Sequence, residues 1–275
     1  MGHDHPKIVN LMKNKILPAI QNTFRFFIPF IIVSSIWELL VMKGYINLQS
    51  LPAPSTLVDK FWQLAVINGS LWKHFFNSLY RLIIGYTLAA VIGTLTGALL
   101  AQNETLKTIF EPTFNILMSV PTIAWIPIFL ITLGLGDKTV ITAIFLSSYF
   151  SIMYNTMRGI EMVDKSIVRA ARMMGLNRLE LFFNVLLPAS LVSIINGFRL
   201  AIGYAWRALV GGELLAALIV WGLGKMVYQA RYFNDAAVML VGLLVIGFTG
   251  FCLDQIFLIT IEKNTVEKWG MSQKK

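Results

Sequence analysis

Residues 160–188 read IEMVDKSIVRAARMMGLNRLELFFNVLLP. Asp164 can accept a hydrogen bond from the free N–H groups of a helix start, and Gly175 suits the left-handed turn at a helix end. The spacing predicts a short helix between them with two faces. Ile167, Ala171 and Met174 form an apolar stripe, and Lys165, Arg169 and Arg172 a basic one. Asn177 predicts a second helix start, with Glu180 at the reciprocal position of a capping box. That helix is expected to end before Pro188, which lacks an N–H and crowds the preceding turn. Two readings fit the pattern. One is a shaped lever, in which small Ala170 and Ala171 admit another backbone; the other is a basic connector that happens to be helical.

Outward from this segment the chain is mostly oil. Of its 275 residues 56% are apolar or aromatic and only 13% are charged, which excludes an ordinary soluble domain and a disordered chain. Charge-free runs fill 82–103, 112–136, 139–157, 181–198 and 236–253. A span needs about 20 apolar residues. Six spans are therefore expected, near 24–42, 80–101, 112–134, 139–158, 197–221 and 236–258. The polar-spotted run 181–198 is read as two interfacial or re-entrant pieces meeting at Pro188. With the N-terminus inside, fourteen Lys/Arg fall on inner segments and seven on outer ones, which favours both termini in the cytoplasm. The expected layout is a cytoplasmic tail (1–23), a transmembrane domain (24–261) carrying the loop 160–190, and a second cytoplasmic tail (262–275). The net charge of +9 follows from this topology and needs no nucleic acid.

Few residues suggest chemistry. The one cysteine, Cys252, excludes an intrachain disulfide and reads as a small core residue. His3, Asp4 and His5 lie in a tail, and no metal-ligand cluster or nucleophile–base pair is found. In the outer loop 43–79, Leu51-Pro-Ala-Pro54 is extended, and Ser55 is placed to cap a short interfacial helix carrying Leu57, Phe61 and Leu64. Ionisable side chains inside spans usually face a cavity or a partner. Glu38 and Asp254 sit near span ends and can snorkel. Arg207 and Glu213 sit deeper in the fifth span. They either flank a cavity, where Arg207 offers a fork to an anion, or tie their helix to a neighbour. Pro121 and Pro127 predict a kink or unwound piece in the third run, with Trp125 inside it as packing residue or pathway lining.

At these residues the chain resembles a family. Ala170-Ala171-x-x-x-Gly175 followed by Leu187-Pro188 is similar to the EAA loop of permease subunits of ABC importers, with Arg169 where the family has glutamate. The resemblance covers about 36–269 and points to the subgroup serving nitrate, sulfonate, taurine and bicarbonate. It also rests on Leu51-Pro-Ala-Pro-Ser55, His74-x3-Ser78-Leu79-x-Arg81-x3-Gly85, Val120-Pro121-x2-Ala124-x2-Pro127, Gly134-x-Gly136-x-Lys138 and Asn155-x3-Gly159. Gly197-x-Arg199-Leu200, Ala205-Trp206, Glu213-Leu214, Gly222-x-Gly224 and a Glu262…Trp269 tail complete it.

What the resemblance implies is an all-α integral membrane fold, a type I ABC importer permease (MetI-like) bundle with a cytoplasmic coupling helix. It implies no catalytic residue and no cofactor on this chain. ATP and Mg2+ would belong to two ABC ATPase subunits, contacted through Arg169, Ala170, Ala171, Gly175, Leu187 and Pro188. A second permease chain, expected to be a homodimer partner, would complete a pathway in which Trp125, Trp206, Arg207 and Glu213 are candidates. An extracytoplasmic solute-binding protein would deliver a small anion to the outer mouth of this pathway, which would cross a bacterial inner membrane. The sequence agrees on one point: it holds no G-x-x-x-x-G-K-[ST] phosphate loop. An ion-gradient transporter or channel, and a membrane-embedded enzyme, are the competing classes. The first leaves the lever unexplained; the second lacks an acid–base cluster.

Overall fold

A computed structural model describes residues 17–47, 50–215 and 219–257. They form ten helices and no strand: α1 (Leu17–Met42), α2 (Pro54–Trp62), α3 (Ser70–Gln102), α4 (Glu104–Ser119), α5 (Thr122–Leu133), α6 (Asp137–Glu161), α7 (Lys165–Met173), α8 (Arg178–Leu215), α9 (Leu223–Tyr232) and α10 (Ala236–Phe257). The segment 1–16, including His3 and His5, and the tail 262–275 lie outside the described residues.

Among the described residues four helices are long and apolar enough to cross a membrane: α3, α6, α8 and α10. A fifth crossing is available if α4 and α5 act as one broken span, bent by 96°. The helix α1, 26 residues long, covers the first expected span at 24–42; its described apolar stretch is Ile28–Met42. The bend falls at Val120–Pro121. Pro127 lies inside α5 without breaking it, so only one of the two prolines interrupts the run.

Two further expectations are corrected. The run 181–198 is not a pair of interfacial pieces, because α8 continues from Arg178 through Pro188 to Leu215. Residues Phe182–Leu186 take a π-helical turn, and Pro188 is the second residue after it. The wider turn has already shifted the carbonyl ladder that the proline ring would strike. In addition, α3 starts at Ser70 rather than near 80, which brings His74, Ser78 and Arg81 onto a spanning helix. The outer helix α2 forms as expected, though Ser55 is not its cap. Its N–H and hydroxyl both donate to the Glu38 carboxylate, at 3.1 and 2.8 Å, so Glu38 ties α1 to α2.

The core is built around α6, which packs against α3 on one side and α8 on the other. The α3 face is Gly85, Ala89, Gly93 and Gly97, four small residues at a spacing of four. That spacing stacks them on one side of the helix and lets two backbones approach closely. A Cβ at Gly85 would lie 2.7 Å from Ile144 Cγ2, and one at Gly93 3.1 Å from the Tyr149 carbonyl. On the α8 side, Gly197 meets Asn155 and Gly159 meets Ser193 in the same way.

Candidate functional site

Both helices of the 160–188 segment begin with side-chain caps. Asp164 Oδ1 accepts from Ser166 N at 2.7 Å; that bond holds the carboxyl below its usual pKa. The helix α7 ends in a paired turn at Gly175, whose φ is +85°. There Leu176 N donates to Ala171 O and Gly175 N to Arg172 O. The capping box is complete, with Asn177 Oδ1 accepting from Leu179 and Glu180, and Glu180 accepting from Asn177 N.

Within this frame Ala171 is 1% exposed and faces the bundle, while Arg169 and Ala170 are exposed. The apolar stripe does not act as one face. Ile167 and Met174, expected beside Ala171, are 50% and 74% exposed. Leu187 and Pro188 are half-buried within the continuous α8. The segment therefore presents a short, capped, amphipathic helix with basic and apolar side chains left open.

A cavity of about 480 Å³ lies where the broken span meets α6 and α8. Pro121, Thr122 and Trp125 line it from the bend, Ser151, Tyr154 and Asn155 from α6, and Tyr204 from α8. Trp125 stacks on Phe129, and its indole N–H is buried without a protein partner. Arg207 is exposed three residues beyond Tyr204. Its Nε donates to Gly203 O at 3.0 Å, and its guanidinium lies 5.0 Å from the Tyr204 ring centre.

Trp206 and Glu213, expected with them on the pathway, sit elsewhere. Trp206 is 8% exposed in the core, with its N–H on Ile246 O of α10 at 3.2 Å. Glu213 is fully enclosed. It accepts from Arg81 Nη1 at 2.7 Å, from the Ser78 hydroxyl at 2.8 Å and from Gly224 N at 2.9 Å. Arg81 Nε reaches Asp137 at 2.8 Å, Ser78 Oγ accepts from Leu223 N, and His74 Nδ1 rests on the Gly222 peptide. A Cβ at Gly222 would lie 2.6 Å from the Glu213 carboxyl carbon. Of the two readings of Glu213, the tie to a neighbouring helix is the one observed, with Arg81 rather than Arg207 as its cation. The sequence carries a signal for it: His74, Ser78 and Arg81 recur at i, i+4 and i+7, one helical face, across the expected boundary between the outer loop and the second span.

The sequence model of a family described as binding-protein-dependent transport system inner membrane component matches residues 89–261. A Bacillus subtilis permease protein named for aliphatic sulfonates transport, SsuC, is 30% identical over 261 residues, covering 95% of this chain and 88% of the relative. The taurine transport system permease protein TauC of Escherichia coli is 29% identical over 227 residues, 81% of this chain and 82% of the relative. A solved structure, titled as inward-facing conformations of the MetNI methionine ABC transporter, superposes with a TM-score of 0.55. The match covers 71% of this chain and 97% of that one at 21% identity, a likeness of fold.

Proposed function

Because the chain belongs to the family of binding-protein-dependent transport system inner membrane components, in the subgroup of sulfonate, taurine, nitrate and bicarbonate permeases, we propose that it lines the pathway of an ATP-driven importer for a small anion. Two copies would enclose the route. Two ATPase subunits would bind ATP and Mg2+ and each receive one α7 helix, and an external binding protein would deliver the solute. Both termini would lie in the cytoplasm.

The observation that carries this reading is α7 itself. A nine-residue helix fixed at both ends by caps, with exposed Arg169 and Ile167, is suited to enter a groove on another chain and transmit its motion. Arg207 supports the anionic solute. Its guanidinium is exposed in a span beside the cavity and can offer a planar pair of donors to a sulfonate, nitrate or carboxylate. An ion-gradient mechanism has less to work with, since Glu213 is locked by three donors and is not free to exchange its cation.

Co-purification with the partner ATPase tests the coupling. Gly175→Val is expected to abolish it. No atom lies within 4 Å of a Cβ at Gly175, so the damage would come from a φ that a β-branched residue avoids. Thermal stability of the bundle should change little, because the turn is exposed. An ATPase still bound at wild-type yield would refute α7 as the coupling element. Arg207→Gln is expected to lower ATP-driven anion uptake about tenfold, the order set by losing one charge-assisted contact of ~1.4 kcal/mol. Unchanged uptake by a folded variant would remove Arg207 from the pathway.

A further inference from the structure

One polar assembly lies outside both α7 and the Glu213 cluster. Lys107, Glu111 and Asn115 recur at i, i+4 and i+8 along α4, and Tyr154, Arg158 and Glu161 at i, i+4 and i+7 along α6. The two rows interlock. Lys107 Nζ lies 2.7 Å from Glu161 Oε1, Arg158 Nη2 lies 3.1 Å from Glu111 Oε1, and Arg158 Nη1 lies 3.3 Å from Glu161 Oε2. The Tyr154 hydroxyl is 2.6 Å from Asn115 Oδ1 and 3.1 Å from Glu111 Oε1.

Three observations give this zipper a role beyond cohesion. First, α4 has no buried residue in its sixteen; its inward contacts besides the zipper are half-buried rings and chains such as Phe114 and Leu117. Second, both ends of α4 are joints. Asn103 both ends α3 and caps α4, and Val120–Pro121 turns the chain through 96° into α5. Third, the zipper joins the two sites already described. Tyr154 lines the cavity, and Glu161 is the last residue of α6, three before the Asp164 cap of α7.

We propose that Glu111, Arg158 and Glu161 form the inner latch of the cavity, holding α4 against α6 at its Tyr154 end until movement of the α7 segment releases it. The proposal rests on the importer reading. Partly exposed ion pairs are individually weak and screened by salt, which suits contacts that must break in every cycle. The glycine seam between α3 and α6 has the opposite character, since backbones in contact have no side chain to withdraw. Glu111 acts through Tyr154 and is a positioning residue; it need not touch the solute.

The test uses the full importer in proteoliposomes, with Cys252→Ser, Lys107→Cys and Glu161→Cys in this chain. The probe is whichever of taurine, an alkanesulfonate, nitrate or bicarbonate the wild type imports. Bridging the pair with a reducible bifunctional thiol reagent is expected to cut uptake more than tenfold relative to the same variant left unbridged, with recovery to that variant's own level on reduction. In a separate variant, Glu111→Gln is expected to raise solute-independent ATP hydrolysis severalfold and so lower the anion carried per ATP, while Glu111→Asp keeps the wild-type ratio. A bridged protein that imports normally overturns the latch alone. So does Glu111→Gln with lowered stability and an unchanged ratio. A wild type that imports none of the probes on ATP overturns the importer reading and the latch with it.

Discussion

Arg81→Met is expected to cost about 3–5 kcal/mol of stability, the range for removing one partner of a buried ion pair. The reason is what remains. Arg81 is 2% exposed and Glu213 0%, so the substitution would leave a carboxylate enclosed by protein with no cation at 2.7 Å. Glu213→Gln should be milder, because an amide carbonyl can still accept from Gly224 N and the Ser78 hydroxyl, although its NH2 group would then face the Arg81 guanidinium. The double substitution Arg81→Met with Glu213→Leu should not restore stability. It removes both charges, yet it takes the acceptor from Gly224 N–H and Ser78 Oγ–H, about 1–3 kcal/mol for each buried donor left unmade. Thermal unfolding of the detergent-solubilised protein checks the order: Arg81→Met worst, the double intermediate, Glu213→Gln mildest. A wild-type midpoint for Arg81→Met would mean that the cluster holds nothing together.

The second large effect is expected from Gly97→Val. A Cβ there would collide with the Met153 carbonyl oxygen and stand 2.9 Å from Thr156 Cβ. Both belong to α6, and a carbonyl inside a helix cannot rotate aside, so α3 and α6 must separate along the seam. Overpacking of a close-packed interior costs typically ~1–3 kcal/mol. Here the upper end or more is expected, because backbone rather than a flexible side chain must move. The contrast is Gly247→Val on α10, where nothing lies within 4 Å of an added Cβ and the site is exposed. It should leave the midpoint nearly unchanged. Expression yield and thermal unfolding compare the two; equal behaviour would deny the seam its role.

Local features of this chain were legible because their causes lie within a few residues. The Asp164 and Asn177 caps, the Gly175 turn and the Pro121 break are each set by contacts across one helical turn, and each formed where its residues stand. The apolar runs announced helices long enough to cross a membrane, since length and hydropathy are properties of a segment alone. Pro188 misled because its effect depends on the turn before it. A π-helical turn at Phe182–Leu186 lets the helix pass, and no local rule foresees that turn. The contacts of Tyr154 and Arg158 with α4 follow from no local rule either, although the i, i+4 spacing of Lys107 and Glu111 marks a polar face.

By itself, then, the sequence determined the helical class, the position of the 160–188 segment and its capped geometry, and the resemblance that the family match bears out. Tertiary structure alone decided which charges meet. Glu213 is separated from Arg81 by 132 residues, and Arg207 lies much nearer to it in sequence, yet Arg81 is its partner. The reason is that α6 draws α3 and α8 against its two sides, and the glycines on α3 set how closely. Pairing of buried charges follows that three-helix packing rather than distance along the chain. Burial of Trp206 and exposure of Arg207, adjacent residues about 100° apart around one helix, follow from the same packing.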